Sequence, residues 1–368
     1  MNHTEMPAYR LTANCIWNSF QSSNKKHLII TGTRNTGKTT LLQKLFPDKI
    51  PGIKTWAQPK SAVYIMDNLT GEKTQIGFYD DALPGTENKM RPLLSGFDVQ
   101  GVSILDSCAH NDSEWISIDE IGYLETNSKD YCNAILNLMK HKRVAAVVRK
   151  QEFPFLQMLC NCEDVFLIDL DHPFGNMGCV IMASGEGKRF GANKLMVDFN
   201  GKPMIQCILE ATDRIFSRRV VVTRHKEVQL LCSSLDVEVV LHDLPYRSDT
   251  IRLGLDAVGM DTDGCMFCPG DQPLLHWNTV AAQALCAVNS NNTIWRTAFE
   301  TIQGSPTLFP RCYYFELLQL PVGKGGSIIL KKYPHLTNRV LAGSEWELKD
   351  IDTPKDMELL LDYSKQNV

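Results

Sequence analysis

Two places in the sequence run from a short apolar segment straight into a glycine-rich loop, and this repetition limits the possible folds more than any other feature. The first is His27-Leu-Ile-Ile-Thr31, followed by Gly32-Thr-Arg-Asn-Thr-Gly-Lys-Thr-Thr40 and a helix-like stretch to Phe46. The second is Gly178-Cys-Val-Ile-Met182, followed by Ala183-Ser-Gly-Glu-Gly-Lys-Arg-Phe-Gly191. A strand that passes through such a loop into a helix opens an α/β layer, and each occurrence starts its own alternation of strand-like and amphipathic segments. At 368 residues the chain also exceeds what one core ordinarily serves. The reading is an α/β protein of two tandem domains, 27–168 and 178–368. A linker over 169–177 joins them, where Pro173 and Gly175 interrupt a polar run. The extension 1–26 carries no assigned role.

Composition narrows the function classes. A formal net charge of −4 argues against a general nucleic-acid surface. No apolar run approaches the ~20 residues needed to span a bilayer. Met1 to Phe20 lacks the basic-then-apolar pattern of a secretory signal, so the expected location is cytoplasmic. Twelve scattered cysteines then read as reduced thiols. Cys160/Cys162 and Cys265/Cys268 have no second pair at zinc-site spacing, so they read as small buried hydrophobes.

The first loop fits G-x-x-x-x-G-K-[ST], between a strand and a helix as that pattern requires. Backbone N–H groups around Gly32, Asn35, Thr36, Gly37 and Thr40 would converge on phosphate oxygens at a helix start. Lys38 would neutralise β/γ oxygens, and Thr39 would hold Mg²⁺ through its hydroxyl. Downstream, Trp115-Ile-Ser-Ile-Asp119-Glu120 is an apolar strand ending in two carboxylates. Asp119 would orient the metal through water, and Glu120 would polarise the attacking water.

These segments, with Met66-Asp-Asn-Leu-Thr-Gly-Glu-Lys73, Gly77-Phe78 and Val144-Ala-Ala-Val-Val-Arg-Lys150, resemble the small P-loop nucleoside-triphosphatase (cancer-related nucleoside-triphosphatase) family over 27–168. The resemblance implies a RecA-like parallel sheet that binds and hydrolyses ATP or GTP. Tyr123 departs from it, standing where the family commonly has Lys or Pro.

The second loop lacks G-K-[ST], and its glycines at 185, 187 and 191 do not fit G-x-G-x-x-G. It offers a flexible wrap and three cations, Lys188, Arg189 and Lys194. Such a set suits a triphosphate attacked at its α-phosphorus, where charge builds on the transition state and on departing pyrophosphate. Phe267-Cys-Pro-Gly-Asp271-Gln-Pro273 is a strand running into an aspartate stiffened by prolines, suited either to Mg²⁺ or to a helix cap. Asp350-Ile-Asp352-Thr-Pro could complete a metal site, or one aspartate could cap the helix that follows.

With Asn200-Gly-Lys-Pro-Met-Ile205 and Ser248-Asp-Thr250-Ile-Arg252-Leu-Gly254, these motifs resemble the molybdenum cofactor cytidylyltransferase / molybdopterin-guanine dinucleotide synthase-like nucleotidyltransferase family. Five motifs occur in family order between residue 178 and about residue 362. The resemblance implies a Rossmann-like sheet with Mg²⁺ at the Asp271 edge. Ala183, Ser184 and Gly185 would then lie at the base and Gly187 in the wrap, with Thr250, Arg252 and Gly254 beside the base. Arg189 and Lys194 would lie on the triphosphate, and Asp271 with Asp350 or Asp352 on the metal. The implied reaction is attack by the terminal phosphate of molybdopterin on the α-phosphorus of CTP or GTP. Ser184 stands where cytidylyl members commonly have Ala and guanylyl members Gly, and a side chain there favours CTP by crowding the larger purine. A transient molybdenum hydroxylase apoenzyme is the implied protein partner. The alternatives are a sugar-phosphate or polyol-phosphate acceptor, and a hydroxylase maturation chaperone whose nucleotide sites are regulatory.

Overall fold

The computed structural model describes residues 11–84, 89–185, 187, 190 and 193–366. Its chain divides into two compact units, one drawn from Asn24–Pro173 and the other from Tyr9–Ser23 together with Phe174–Val368.

The first unit is built on eight strands: β1 (His27–Thr31), β2 (Gly52–Gln58), β3 (Ala62–Asp67), β4 (Lys73–Tyr79), β5 (Met90–Pro92), β6 (Trp115–Ile121), β7 (Arg143–Val148) and β8 (Val165–Asp169). They lie in the order β5-β4-β3-β2-β6-β7-β1-β8. Pairing is parallel from β2 through β8 and antiparallel among β2, β3, β4 and β5. Strands buried on both faces need unbroken apolar runs. Leu28-Ile-Ile30 and Val144-Ala-Ala-Val-Val148 supply them, all buried. Helix Lys129–His141 shows the complementary pattern. Tyr131, Ala134, Ile135, Leu138 and Met139 form its buried stripe, and Ser128 caps it by accepting from the Tyr131 N–H at 3.0 Å. This is the RecA-like sheet, with β7 between the phosphate-loop strand β1 and the Asp119 strand β6.

The second unit carries β9 (Met177–Ala183), a two-residue pair β10 (Asp198–Phe199) and β11 (Lys202–Pro203), then β12 (Arg218–Thr223), β13 (Glu238–Leu241), β14 (Gly264–Pro269), β15 (Ile294–Phe299), β16 (Ile302–Pro310) and β17 (Thr337–Leu341). The main sheet runs β13-β12-β9-β14-β16-β15-β17, with β13-β12-β9-β14 parallel. The chain leaves β9 toward β12 and β13, then crosses back to lay β14 on the other side of β9. Open α/β sheets bind ligands at such a reversal, outside the carboxyl ends of the strands. Helix Ala13–Ser23 belongs to this unit. Ile16 and Phe20 are buried, and the Cys286 thiol donates to the Ser19 carbonyl at 3.3 Å. A segment without an assigned role in sequence order thus packs on the distant half of the chain.

Helix Arg247–Val258 lies against β9 through two glycines. A Cβ on Gly178 would fall 2.1 Å from Val258 Cγ1, and one on Gly254 would fall 2.4 Å from Val180 Cγ1. At the helical Gly254, propensity favours Ala over Gly by about 1 kcal/mol, but overpacking a fitted interface costs ~1–3 kcal/mol at either position, so the clash decides the sign. Gly178→Ala and Gly254→Ala are each expected to lower the unfolding midpoint of the second unit in calorimetry. Val258→Ala should recover part of the Gly178→Ala loss and none of the Gly254→Ala loss.

Candidate functional site

The loop after β1 turns through positive φ at Gly32, Asn35 and Gly37 before helix Lys38–Leu45 begins. Lys38 Nζ folds back to donate to the carbonyls of Gly32 (2.9 Å) and Thr33 (2.5 Å). Burial lowers the Lys38 pKa, against the pull of Glu120 and Asp171. Thr39 Oγ1 donates to Asp119 Oδ1 at 2.8 Å, joining the two expected metal-holding residues across the strand order. Thr36 bonds within the loop, Oγ1 to the Thr33 carbonyl at 3.0 Å, and Thr40 is exposed in the first helical turn.

Successive side chains on a strand point to opposite faces. The β6–β7 register shifts between Asp119 and Ile121, and Glu120 adopts φ 91°. This bulge turns Glu120 to an ion pair with Arg149. A non-glycine residue in that region costs on the order of 1–3 kcal/mol and persists where its surroundings hold it. The loop is also braced from β8. Asp171 accepts from the Thr33 N–H and hydroxyl, and Lys150 Nζ bridges Asp169 (2.8 Å) and Asp171 (2.9 Å). Tyr123 has a structural task, since its hydroxyl exchanges hydrogen bonds with the Met90 backbone on β5.

In the second unit, Gly270 N donates to the Met182 carbonyl at 3.0 Å, so the pairing with β9 continues one residue past the end of β14. This brings Asp271 out beside the loop that starts at Ala183. Ile351 N in turn donates to the Asp271 carbonyl at 3.0 Å, which seats the segment 350–352 against it. Lys194 Nζ fills the resulting notch, 2.7 Å from Asp271 Oδ2, 3.0 Å from Asp352 Oδ1 and 2.6 Å from the Ile351 carbonyl. Burial alone would lower the Lys194 pKa, but Asp271 and Asp352 outweigh it and the pKa is raised. Asp350 lies beside the notch and accepts from Gln272 Nε2 at 2.8 Å; burial, together with the neighbouring charges of Asp271 and Asp352, raises its pKa. Two carboxylates and a carbonyl around one cation are hard oxygen donors of the kind Mg²⁺ takes. Among the described residues no three acidic, His or Cys side chains form a metal-sized group. Asp271 and Asp352 would therefore depend on water and phosphate oxygens to complete a coordination shell.

The start of the wrap is held by side chains that the sequence did not mark. Ser184 Oγ donates to the Val222 carbonyl at 3.0 Å and meets His242 Nε2 at 2.8 Å. His242 Nδ1 accepts from Leu244 N, so its proton sits on Nε2 and points at the serine. Arg224 Nε donates to the Ser184 carbonyl (2.9 Å), and His225 Nε2 meets the Gly185 carbonyl at 2.8 Å. Gly187 holds φ 59° further along the wrap. Lys188, Arg189 and Gly191 lie outside the described residues. Thr250 is buried, Gly254 packs on Val180, and Arg252 is committed to Asp249 and to the carbonyls of Leu318 and Leu320. The structure thus brings together Lys194, Asp271 and Asp352 one residue past the Gly270–Met182 bond, and does not join Arg252 to them. A cavity of about 510 Å³ lined by Asn14, His276, Trp346 and Tyr363 shares none of these residues.

Residues 27–173 match the NTPase family, and residues 179–337 match the MobA-like NTP transferase domain family. A nucleoside-triphosphatase THEP1 from Thermotoga maritima is 28% identical over 159 residues, 39% of this chain and 86% of that protein. A probable molybdenum cofactor guanylyltransferase from Aquifex aeolicus is 28% identical over 102 residues, 28% of this chain. A 3-deoxy-manno-octulosonate cytidylyltransferase from Trichlorobacter lovleyi is 32% identical over 84 residues, 22% of this chain. The chain spans 49% of the length of the second relative and 33% of the third.

Glu125, just past the Asp119-Glu120 pair, is fully buried and accepts from Gly122 N at 2.8 Å. Burial pushes its carboxyl pKa up to about 7. A raised carboxyl pKa means that the folded state holds the proton longer, so stability falls as pH rises from about 4.5 to about 7, by up to about 3 kcal/mol. His27, whose pKa burial lowers to about 4, contributes in the opposite sense below its ordinary value of 6.5. The difference between wild type and Glu125→Gln isolates the glutamate. In denaturant titrations the variant is expected to gain stability relative to wild type between pH 5 and pH 8; a flat difference would contradict the assignment.

Proposed function

We propose that the second unit transfers CMP, in preference to GMP, from the nucleoside triphosphate to the terminal phosphate of molybdopterin, releasing pyrophosphate, while the first unit binds and hydrolyses NTP. The chain carries a MobA-like nucleotidyltransferase domain and an NTPase domain. The observation that carries the transferase reading is the Lys194 ammonium joined to Asp271 and Asp352 at the sheet reversal, where Gly270 bonds to Met182.

The chemistry needs little from the protein beyond position and charge. A phosphate nucleophile is already ionised at neutral pH, so no strong general base is required. Ala183, Ser184 and Gly185 would hold the base, steadied from behind by Arg224, His225 and His242. Lys194 and Arg189 would neutralise the triphosphate as charge passes to pyrophosphate. Asp271 and Asp352 would hold Mg²⁺, which when bound screens the phosphate oxygens. In the first unit, Lys38 and Thr39 would hold the phosphates and metal with Asp119, and Glu120 would orient water.

The Ser184 hydroxyl is engaged by Val222 and His242, which supports a steric part in base choice. The relatives include both a guanylyltransferase and a cytidylyltransferase, so the preference for CTP rests on Ser184, and the similarity to a 3-deoxy-manno-octulosonate cytidylyltransferase sustains a second reading, a sugar acceptor at the same site.

Purified protein with Mg²⁺, molybdenum cofactor and each of CTP, GTP and ATP is expected to release pyrophosphate, fastest with CTP. Release with a sugar acid or sugar phosphate, and none with the cofactor, would transfer the case to the second reading. Asp271→Asn should lower pyrophosphate release at least about 100-fold. Lys38→Ala should remove the release of inorganic phosphate and leave pyrophosphate formation in place. Ser184→Gly is expected to shift the kcat/KM ratio of GTP to CTP upward by about tenfold.

A further inference from the structure

The notch between Asp271 and Asp352 already contains a cation, and that cation is a side chain. Lys194 Nζ has three oxygens within 3.0 Å: Asp271 Oδ2, Asp352 Oδ1 and the Ile351 carbonyl. Magnesium takes oxygen ligands at about 2.0–2.1 Å, so it cannot share these donors with the ammonium. Two cations that close repel by about 4 kcal/mol or more at the effective dielectric of a protein surface. Lys194 is also not a loosely placed surface group, since its side chain is 11% exposed.

The balance of charge sets the direction of exchange. Two carboxylates and one ammonium sum to −1, Asp350 adds negative charge beside them, and removing the ammonium deepens that excess between Asp271 and Asp352. That vacated notch would be a stronger cation site than the filled one. The ammonium leaves readily only toward another anion. A triphosphate lying along the wrap from Ala183 through Gly187 would supply one, because Lys194 closes that same loop.

We propose that Lys194 keeps the metal position of the second unit closed until the triphosphate draws its ammonium away, so that the divalent cation enters with or after the nucleotide and not before. This rests on the transferase reading of the second unit and adds an order of binding to it. The consequence is that metal alone does not dwell between Asp271 and Asp352, and that no metal-organised site awaits a ligand other than a triphosphate.

The test is Mn²⁺ binding to the full chain, followed by the loss of the free Mn²⁺ electron paramagnetic resonance signal, with Asp271→Asn subtracted to remove the contribution of the first unit. Wild type without nucleotide is expected to show no Asp271-dependent site, and wild type with β,γ-imido-CTP is expected to show one. Lys194→Met and Lys194→Gln should each reveal that site without nucleotide, at least about tenfold tighter than any in wild type. The glutamine variant keeps a hydrogen-bond donor in the notch and guards against loss of folding in the methionine variant. Asp271-dependent Mn²⁺ binding by wild type without nucleotide, as tight as in the Lys194 variants, would overturn the gate and leave the transferase reading intact. Absence of an Asp271-dependent site under every condition would overturn both.

Discussion

Parallel pairing of β9 with β14 is the constraint from which the second site follows. The register sets Met182 beside Pro269, and the Gly270-to-Met182 hydrogen bond carries the pairing one step beyond the end of β14. Two chain segments some 90 residues apart therefore emerge side by side at one sheet edge, one as a flexible wrap and the other as a stiff turn with a carboxylate. Ile351 then adds its N–H to the Asp271 carbonyl and brings Asp352 in from a third segment. Removal of any of these backbone bonds would leave the same side chains without a common point. Close packing of helix Arg247–Val258 on β9, through Gly178 and Gly254, keeps that strand in place.

Both units hold their principal lysine on oxygens that a triphosphate can replace. Lys38 rests on two carbonyls of its own loop, and Lys194 on two carboxylates and a carbonyl. The difference in partner matters. Carbonyls carry partial charge, so Lys38 is weakly held and its pKa falls with burial. Carboxylates carry full charge, so Lys194 is held more strongly and its pKa rises despite burial. A phosphate loop of the first kind is thus ready for its ligand, whereas the second site must first break an ion pair. In the first unit the corresponding restraint falls on Glu120, turned by the bulge and tied to Arg149.

The α/β class of both halves was legible because parallel strands leave a strong local signal: apolar runs such as Leu28-Ile-Ile30 and Cys265-Met-Phe-Cys268, each ending in a loop with its own chemistry. Motif spacing likewise pointed to Thr39 and Asp119, which the fold joins at 2.8 Å. Features that depend on register or distant packing left no comparable trace. Nothing local to Glu120 announces a bulge, since the shift is a property of β6 against β7. A row of alternating aspartates does not say which partner each takes; that follows from where Ile351 docks, which turns Asp352 to Lys194 and gives Asp350 the Gln272 amide. His242 carried no signal, because its partner Ser184 lies 58 residues away. The placement of helix Ala13–Ser23 with the second unit likewise rests on contacts with Asn278 and Cys286 that chain order does not foreshadow.

The most direct measurement is a crystal structure of the protein with Mn²⁺ and β,γ-imido-CTP, read by the anomalous signal of the metal. The result expected is a manganese peak between Asp271 and Asp352, the triphosphate along residues 183–194, and Lys194 Nζ moved from the carboxylates to phosphate oxygens. A nucleotide bound only at the loop of Lys38, with Lys194 still seated between Asp271 and Asp352 and no manganese beside them, would contradict it.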